Sequence, residues 1–215
     1  MTNTEPNLIG ITINHRSMRG DARRFADVTL AMAQGRTPGT PGRVQAIRRY
    51  LTDLCDGIHH HHQAEDDVLW PVLRETAGAE VDLAELTDDH RQLDPLLDRV
   101  RAEAAALAAT PGDREAAGRL SDSLAMLRDL LDEHIDDEER TLFPVIRRYV
   151  THEQWQRVEN AVRKGSKAGF ELPRIERYAT ADELVELYRM AGPALRLMLA
   201  VMRPGFLRRE RLIFG

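Results

Sequence analysis

Residues 59 to 73 read HHHHQAEDDVLWPVL, four histidines followed by acids and then a Trp-Pro pair. Leu51, Leu54, Ile58, Val68, Leu69 and Val72 flank the run at helical spacing, so it is native helical sequence. A purification tag would sit at a terminus beside a linker. Followed in alternating steps of three and four, the stripe runs Val44, Ile47, Leu51, Leu54, Ile58, then His61 and Glu65, then Val68 and Val72. Two polar residues therefore stand on a seam that is otherwise apolar.

Three more stripes carry the same interruption. Leu8, Ile11, Met18, Ala22, Phe25 and Met32 keep step around a gap filled by His15. Leu83, Leu86, Leu93, Leu97, Val100 and Leu107 keep step around His90. The last runs Leu120, Leu124, Leu127, Leu131, then His134 and Glu138, then Thr141 and Val145. Turn formers separate the stripes: GRTPGTPG at 35 to 42, the stretch around Thr76 to Glu80, and TPGD at 110 to 113. Short connections favour antiparallel neighbours. The expected fold is all-α: an up-down-up-down four-helix bundle over residues 1–150 with a C-terminal helical extension over 151–215.

Helix geometry supports a common depth for the histidines. His15 and His61 each lie about 18 to 19 residues from the first loop, and at 1.5 Å per residue that is about 27 Å for both. His90 and His134 lie at about 27 to 31 Å from the TPGD turn. The link between the second and third helices matches less well, by about 9 Å, which loop slack or a bend at Pro71 would absorb. Helices two and four also echo one another. His61 and His134 each have a glutamate four residues on, an aromatic five beyond that (Trp70, Phe143), and then proline.

Bulk composition is that of an ordinary helical protein. The chain has 215 residues, few aromatics and a formal charge of −5, which gives no argument for nucleic acid as a partner. Cys55 is the single cysteine, so no internal disulfide forms, and it reads as a small buried residue. The start MTNTEPNLIG lacks the basic and apolar regions of a signal peptide, and no apolar run reaches the ~20 residues of a membrane span. A soluble, cytoplasmic protein is expected.

A histidine and a carboxylate four apart share one helix face, and here that face is the core. Any single buried histidine is usually a hydrogen-bonded core residue. Four at one depth with two buried glutamates differ, because each uncompensated carboxylate costs several kcal/mol. A pair of metal ions neutralises both. With no cysteine on the seams, imidazole and carboxylate donors suit iron or manganese. Four histidines and two bridging carboxylates fill eight positions, and an oxo or hydroxo bridge fills two more of the roughly twelve in two octahedra. Room for a small ligand remains.

At these positions the sequence resembles the hemerythrin-like (HHE cation-binding) family. The resemblance covers residues 8 to 150 and rests on His15, His61 with Glu65, His90, and His134 with Glu138, including the cadence of EDDVLWP and EERTLFP. It implies a non-haem di-iron centre with histidines as terminal ligands and the two glutamates bridging two iron ions. Dioxygen or a related small molecule, such as peroxide or nitric oxide, would bind there. The resemblance leaves open a binder or sensor of dioxygen and a redox enzyme that turns over hydrogen peroxide or nitric oxide. Oxygen-carrying hemerythrins have a further histidine four after the third-helix ligand, where this chain has Asp94, and that departure counts against simple oxygen carriage. Ferritin-like Glu-x-x-His pairs do not occur.

Several neighbours of these positions receive milder readings. Asp94 binds iron, hydrogen-bonds a ligand, or ends a helix turn before Pro95, with the last two favoured. His59, His60 and His62 read as solvated or supporting imidazoles, although His62 with Asp66 repeats the four-residue step and rivals His61. Asp66, Asp67, Asp136, Asp137 and Glu139 read as a solvated acidic rim. Trp70 and Phe143 read as packing that roofs the site, and His152 as surface. Thr151 with Gln154 and Thr180 with Glu183 look like capping boxes opening two further helices, the second interrupted at Gly192-Pro193. These C-terminal helices either cover the bundle or form a homodimer contact. The arginine-rich ending at Gly215 reads as a docked terminus.

Overall fold

The computed structural model describes residues 5–215, and among these the chain is helical with no strand. Helix α1 spans Ile9–Ala33 and α2 spans Pro41–Ala64. A π-helical segment, Glu65–Leu69, leads from α2 into α3, Trp70–Thr76. Then come α4 (Ala84–Ala109), α5 (Arg114–Tyr149), α6 (His152–Gly165), α7 (Ala168–Tyr178) and α8 (Ala181–Phe214).

The helix starts follow local chemistry. Thr40 accepts a hydrogen bond from the Arg43 amide, and Pro41 occupies the first helical position, where no amide is needed. Asp113 accepts from the amides of Glu115 and Ala116 after a turn that needs the left-handed backbone of Gly112 (φ 89). Both expected capping boxes are present, at Thr151/Gln154 and Thr180/Glu183.

The four apolar stripes meet in one core. Met18, Phe25, Ile47, Leu51, Leu54, Ile58, Leu97, Val100, Leu120, Leu124, Leu127 and Leu131 are all buried in it. Each such side chain stabilises the fold by about 1.5–3 kcal/mol. Contacts at both ends of each pair fix the helix directions. Ser121 donates to the Ala26 carbonyl while His15 meets Glu139, so α1 and α5 run antiparallel. Gln45 donates to the Ala108 carbonyl while His62 stacks on His90, so α2 and α4 do too. Arg99 donates to Ser123 while His90 packs on His134, which makes α4 and α5 antiparallel. A second, smaller core holds Leu69, Trp70, Leu73, Leu86, Leu142, Phe143, Ile146 and Trp155. His15, His61 with His62, and His90 lie in sequence between residues of the two cores, and on α5 Glu138 does so, with His134 between Leu131 and Ile135 of the main core.

Three features differ from the sequence reading. The second helix changes to π geometry before Pro71, with the Trp70 amide bonded to the Glu65 carbonyl, while the equivalent Pro144 sits inside an uninterrupted α5. The link to α4 is not a plain loop: it runs through α3, a 3-10 turn at Gly78–Glu80 and extended Val81. The extension has three helices instead of two, because α7 forms despite Pro173 within it.

The extension packs against the rest of the chain. Phe170 of α7 and Phe206 and Ile213 of α8 enter the main core, and Phe170 meets Tyr50 edge to face at 4.9 Å. Buried Asp21 of α1 accepts from Tyr50 (2.9 Å), Tyr178 (2.6 Å) and the Arg174 Nε (2.7 Å). Helix α8 kinks at Gly192 (φ 66), where the sequence placed an interruption. Val185, Leu197 and Val201 of α8 stand exposed, and His152 lies on the surface. No helix among the described residues is long and apolar enough to cross a membrane.

Candidate metal centre

Seven polar side chains converge between the two apolar clusters. They are His15 from α1, His61 and His62 from α2, Glu65 from the π segment, His90 from α4, and His134 with Glu138 from α5. None is more than 4% exposed. They form two groups, His62, Glu65, His90 and His134, and His15, His61, Glu65 and Glu138, whose ligand atoms lie within 4.8 Å of one another. Glu65 belongs to both. All six residues singled out by the stripes lie in this layer. His62, read from sequence as a solvated or supporting imidazole, is buried here with its ring stacked on His90 at 4.2 Å.

The inward-facing atoms are crowded, and apart from Nε2 of His15 and His61, which meet at 3.1 Å, they are unsatisfied. His61 Nε2 lies 2.9 Å from Glu65 Oε1 and His90 Nε2 3.6 Å from Glu65 Oε2. His15 Nε2 lies 3.4 Å and His134 Nε2 3.9 Å from Glu138 Oε2. None of these contacts has hydrogen-bond geometry to the glutamates. Both carboxylate oxygens of Glu65 and Glu138, Nε2 of His90 and His134, and Nδ1 of His62 are buried without a hydrogen-bond partner. Each such atom costs about 1–3 kcal/mol.

Burial also opposes charge on Glu65, Glu138, His61, His62, His90 and His134. It pushes Glu65 up to about 8 and Glu138 well above the ordinary carboxylate range, the latter also through the charge of Glu65. It drives His61 and His134 down to about 4, His90 to about 3, and His62 well below the ordinary imidazole value. Neutral imidazole lone pairs beside carboxylates that lack a counter-charge are the donor set a multivalent cation satisfies. Cys55 is not among the donors: it is buried in the main core, where desolvation pushes its thiol up to about 12.

The far side of each ring is held differently. Nδ1 of His15 meets Glu139 at 2.9 Å, Nδ1 of His90 meets Asp66 at 3.2 Å, and Nδ1 of His134 meets Asp89 at 3.3 Å. The Asn14 amide lies 3.3 Å from Nδ1 of His61. Asp66 and Glu139 are thus not merely a solvated rim, because each reaches inward to a histidine on another helix. Asp136 and Asp137 do pair outward, with Arg19 and Arg140. Trp70 stacks on His90 and Phe143 on His15, as roofing residues would.

Residues 11–146 match the hemerythrin HHE cation-binding domain. The chain belongs to this family. A curated DNA nickase from Nostoc sp. (strain PCC 7120 / SAG 25.82 / UTEX 2576) is 30% identical over 110 residues. That stretch is 51% of this chain but 28% of the nickase, so the chain spans well under two thirds of that relative. No solved structure matches.

Within this hemerythrin-type layer, α4 supplies one histidine and α2 supplies two. Asp94 does not join it: its carboxylate meets exposed His59 at 2.9 Å, and α4 runs on through Pro95. His60 turns outward as well, with Nε2 2.9 Å from the Val162 carbonyl of α6. A stripe admits one residue per turn, so it does not single out His62. The two ligand groups flanking α2 draw on two adjacent residues, His61 and His62.

Proposed function

We propose that the layer holds two iron ions and that the protein binds or senses dioxygen or a related small molecule there. His62, His90 and His134 hold one ion, His15, His61 and Glu138 the other, and Glu65 serves both. The observation that supports this reading is the set of buried, partnerless carboxylate and imidazole atoms shared between two groups. A bound iron pair would supply redox chemistry and open coordination positions at neutral pH. Each group offers four residues, fewer than the six positions of an octahedral ion, so room for an incoming ligand would remain.

The remaining residues give the pair its setting. Leu69, Trp70, Leu142 and Phe143 on one side, and Ile58 and Leu131 on the other, exclude bulk water and keep the local dielectric low. We read α1, α2, α4 and α5, within residues 1–150, as an up-down-up-down bundle, and residues 151–215 as an extension that buries its flank. The formal charge of −5 favours a small-molecule partner over nucleic acid, and the DNA nickase shares too little of its length to carry its activity over. A cytoplasmic location fits the single buried cysteine.

Optical spectra of reduced, iron-loaded protein exposed to dioxygen and then degassed test the reading. A new band that reverses supports binding. Sustained oxygen evolution from peroxide, or nitric oxide loss with a reductant, would instead show turnover at the same residues.

A further inference from the structure

We infer that Glu139, Asp66 and Asp89 act as positioning residues that bias the metal pair toward its oxidised state. This inference rests on the di-iron reading above. Each carboxylate stands one residue from a metal-layer residue on its own helix, and each reaches a histidine on a different one. Glu139 of α5 holds His15 of α1 at 2.9 Å, Asp66 of the π segment holds His90 of α4 at 3.2 Å, and Asp89 of α4 holds His134 of α5 at 3.3 Å. In every case the atom held is Nδ1, while Nε2 lies toward Glu65 or Glu138.

A ring N–H donated from Nδ1 to a carboxylate fixes the proton on the outer nitrogen and leaves the Nε2 lone pair facing inward. It also makes the imidazole a stronger donor. The three carboxylates add negative charge around a layer that already contains Glu65 and Glu138, and that charge favours the more highly charged form of a metal pair. The support is uneven. His61 has only the neutral Asn14 amide, and Nδ1 of His62 has no partner. The group of His62, His90 and His134 has two carboxylate-held histidines, and the group of His15 and His61 has one.

The test uses the iron-loaded full chain and the substitutions D66N, D89N and E139Q, which remove charge at nearly constant size, with N14D, which adds one beside His61. Midpoint potentials come from spectroelectrochemical titration, and cobalt affinities from competition with a chelator. The three neutralising changes should raise the potential and weaken cobalt binding about 10–100-fold, whereas N14D should lower the potential. Unchanged potentials in D66N, D89N and E139Q, or an N14D chain that titrates at or above wild type or holds no iron, would overturn the inference. If the neutralised chains lose their iron, the sign of the N14D shift decides. A wild-type chain without iron would overturn the di-iron reading itself.

Discussion

His61 and His62 are adjacent in sequence, yet their ring centroids stand 5.7 Å apart and each belongs to a different ligand group. One turn of α2 thus contributes to both candidate ligand groups. His62→Ala and His61→Ala should each cost about half of the bound iron, with different residual spectra. His59→Ala should leave iron content at the wild-type level, since His59 is exposed and paired with Asp94. Iron analysis of purified variants checks this, and a full complement in His62→Ala would remove it from the site.

Metal removal should make stability sharply pH-dependent. Without metal, folded Glu65 keeps its proton to about 8 against an ordinary 4.5, so stability is lost as pH rises through that window. His61 and His134 have the opposite sign: they stay neutral down to about 4, so stability falls as pH drops below the ordinary 6.5 and unfolded imidazoles take up protons. The metal-free chain should therefore show its highest Tm near pH 6.5, with a decline toward pH 8 that iron abolishes, because bound metal keeps the carboxylates ionised. Thermal melts across pH 5 to 9, with and without iron, measure it. A metal-free Tm that is flat or rising above pH 6.5 goes against it.

The part of this centre visible in sequence was the part that obeys a period. His15, His90 and His134 each fill a gap in an apolar stripe, and Glu65 and Glu138 follow one turn after a histidine, so spacing alone places them inside. His62 breaks the stripe's rhythm, and its burial depends on how α2 sits against α4. Asp66, Asp89 and Glu139 lie at half-exposed positions whose role is set by a neighbouring helix, which no single-helix pattern records. The π segment and α7 were hidden for a similar reason. Proline discourages a helix locally, but tertiary packing of Trp70 and Phe170 settles the outcome.

The extension is tied on by a buried charge. Asp21→Ala leaves Arg174, 1% exposed, with Glu171 as its remaining ion partner, and strips the hydroxyl partners from Tyr50 and Tyr178. A loss of about 3–5 kcal/mol is expected by urea denaturation. Tyr178→Phe removes one hydrogen bond and should cost about 1 kcal/mol. Iron content should hold in both, since Asp21 lies outside the metal layer.

Gly20 shows how closely that extension approaches. A methyl at this position of α1 would meet Tyr178 Cε1 at 2.3 Å, and the ring cannot swing away without breaking its bond to Asp21. Alanine gains about 1 kcal/mol of helix propensity, but overpacking costs about 1–3 kcal/mol. Gly20→Ala should therefore lower the Tm, whereas Gly42→Ala, with open space around it, should not. A stabilised Gly20→Ala would mean that α7 sits farther from α1.

Iron per chain is the most direct measurement. Protein produced with iron and freed of loose metal should carry close to two ions per chain, one for each ligand group, and Glu65→Ala, which removes the residue common to both, close to none. A folded wild-type chain without iron, or a Glu65→Ala chain holding as much as wild type, would contradict a paired metal site.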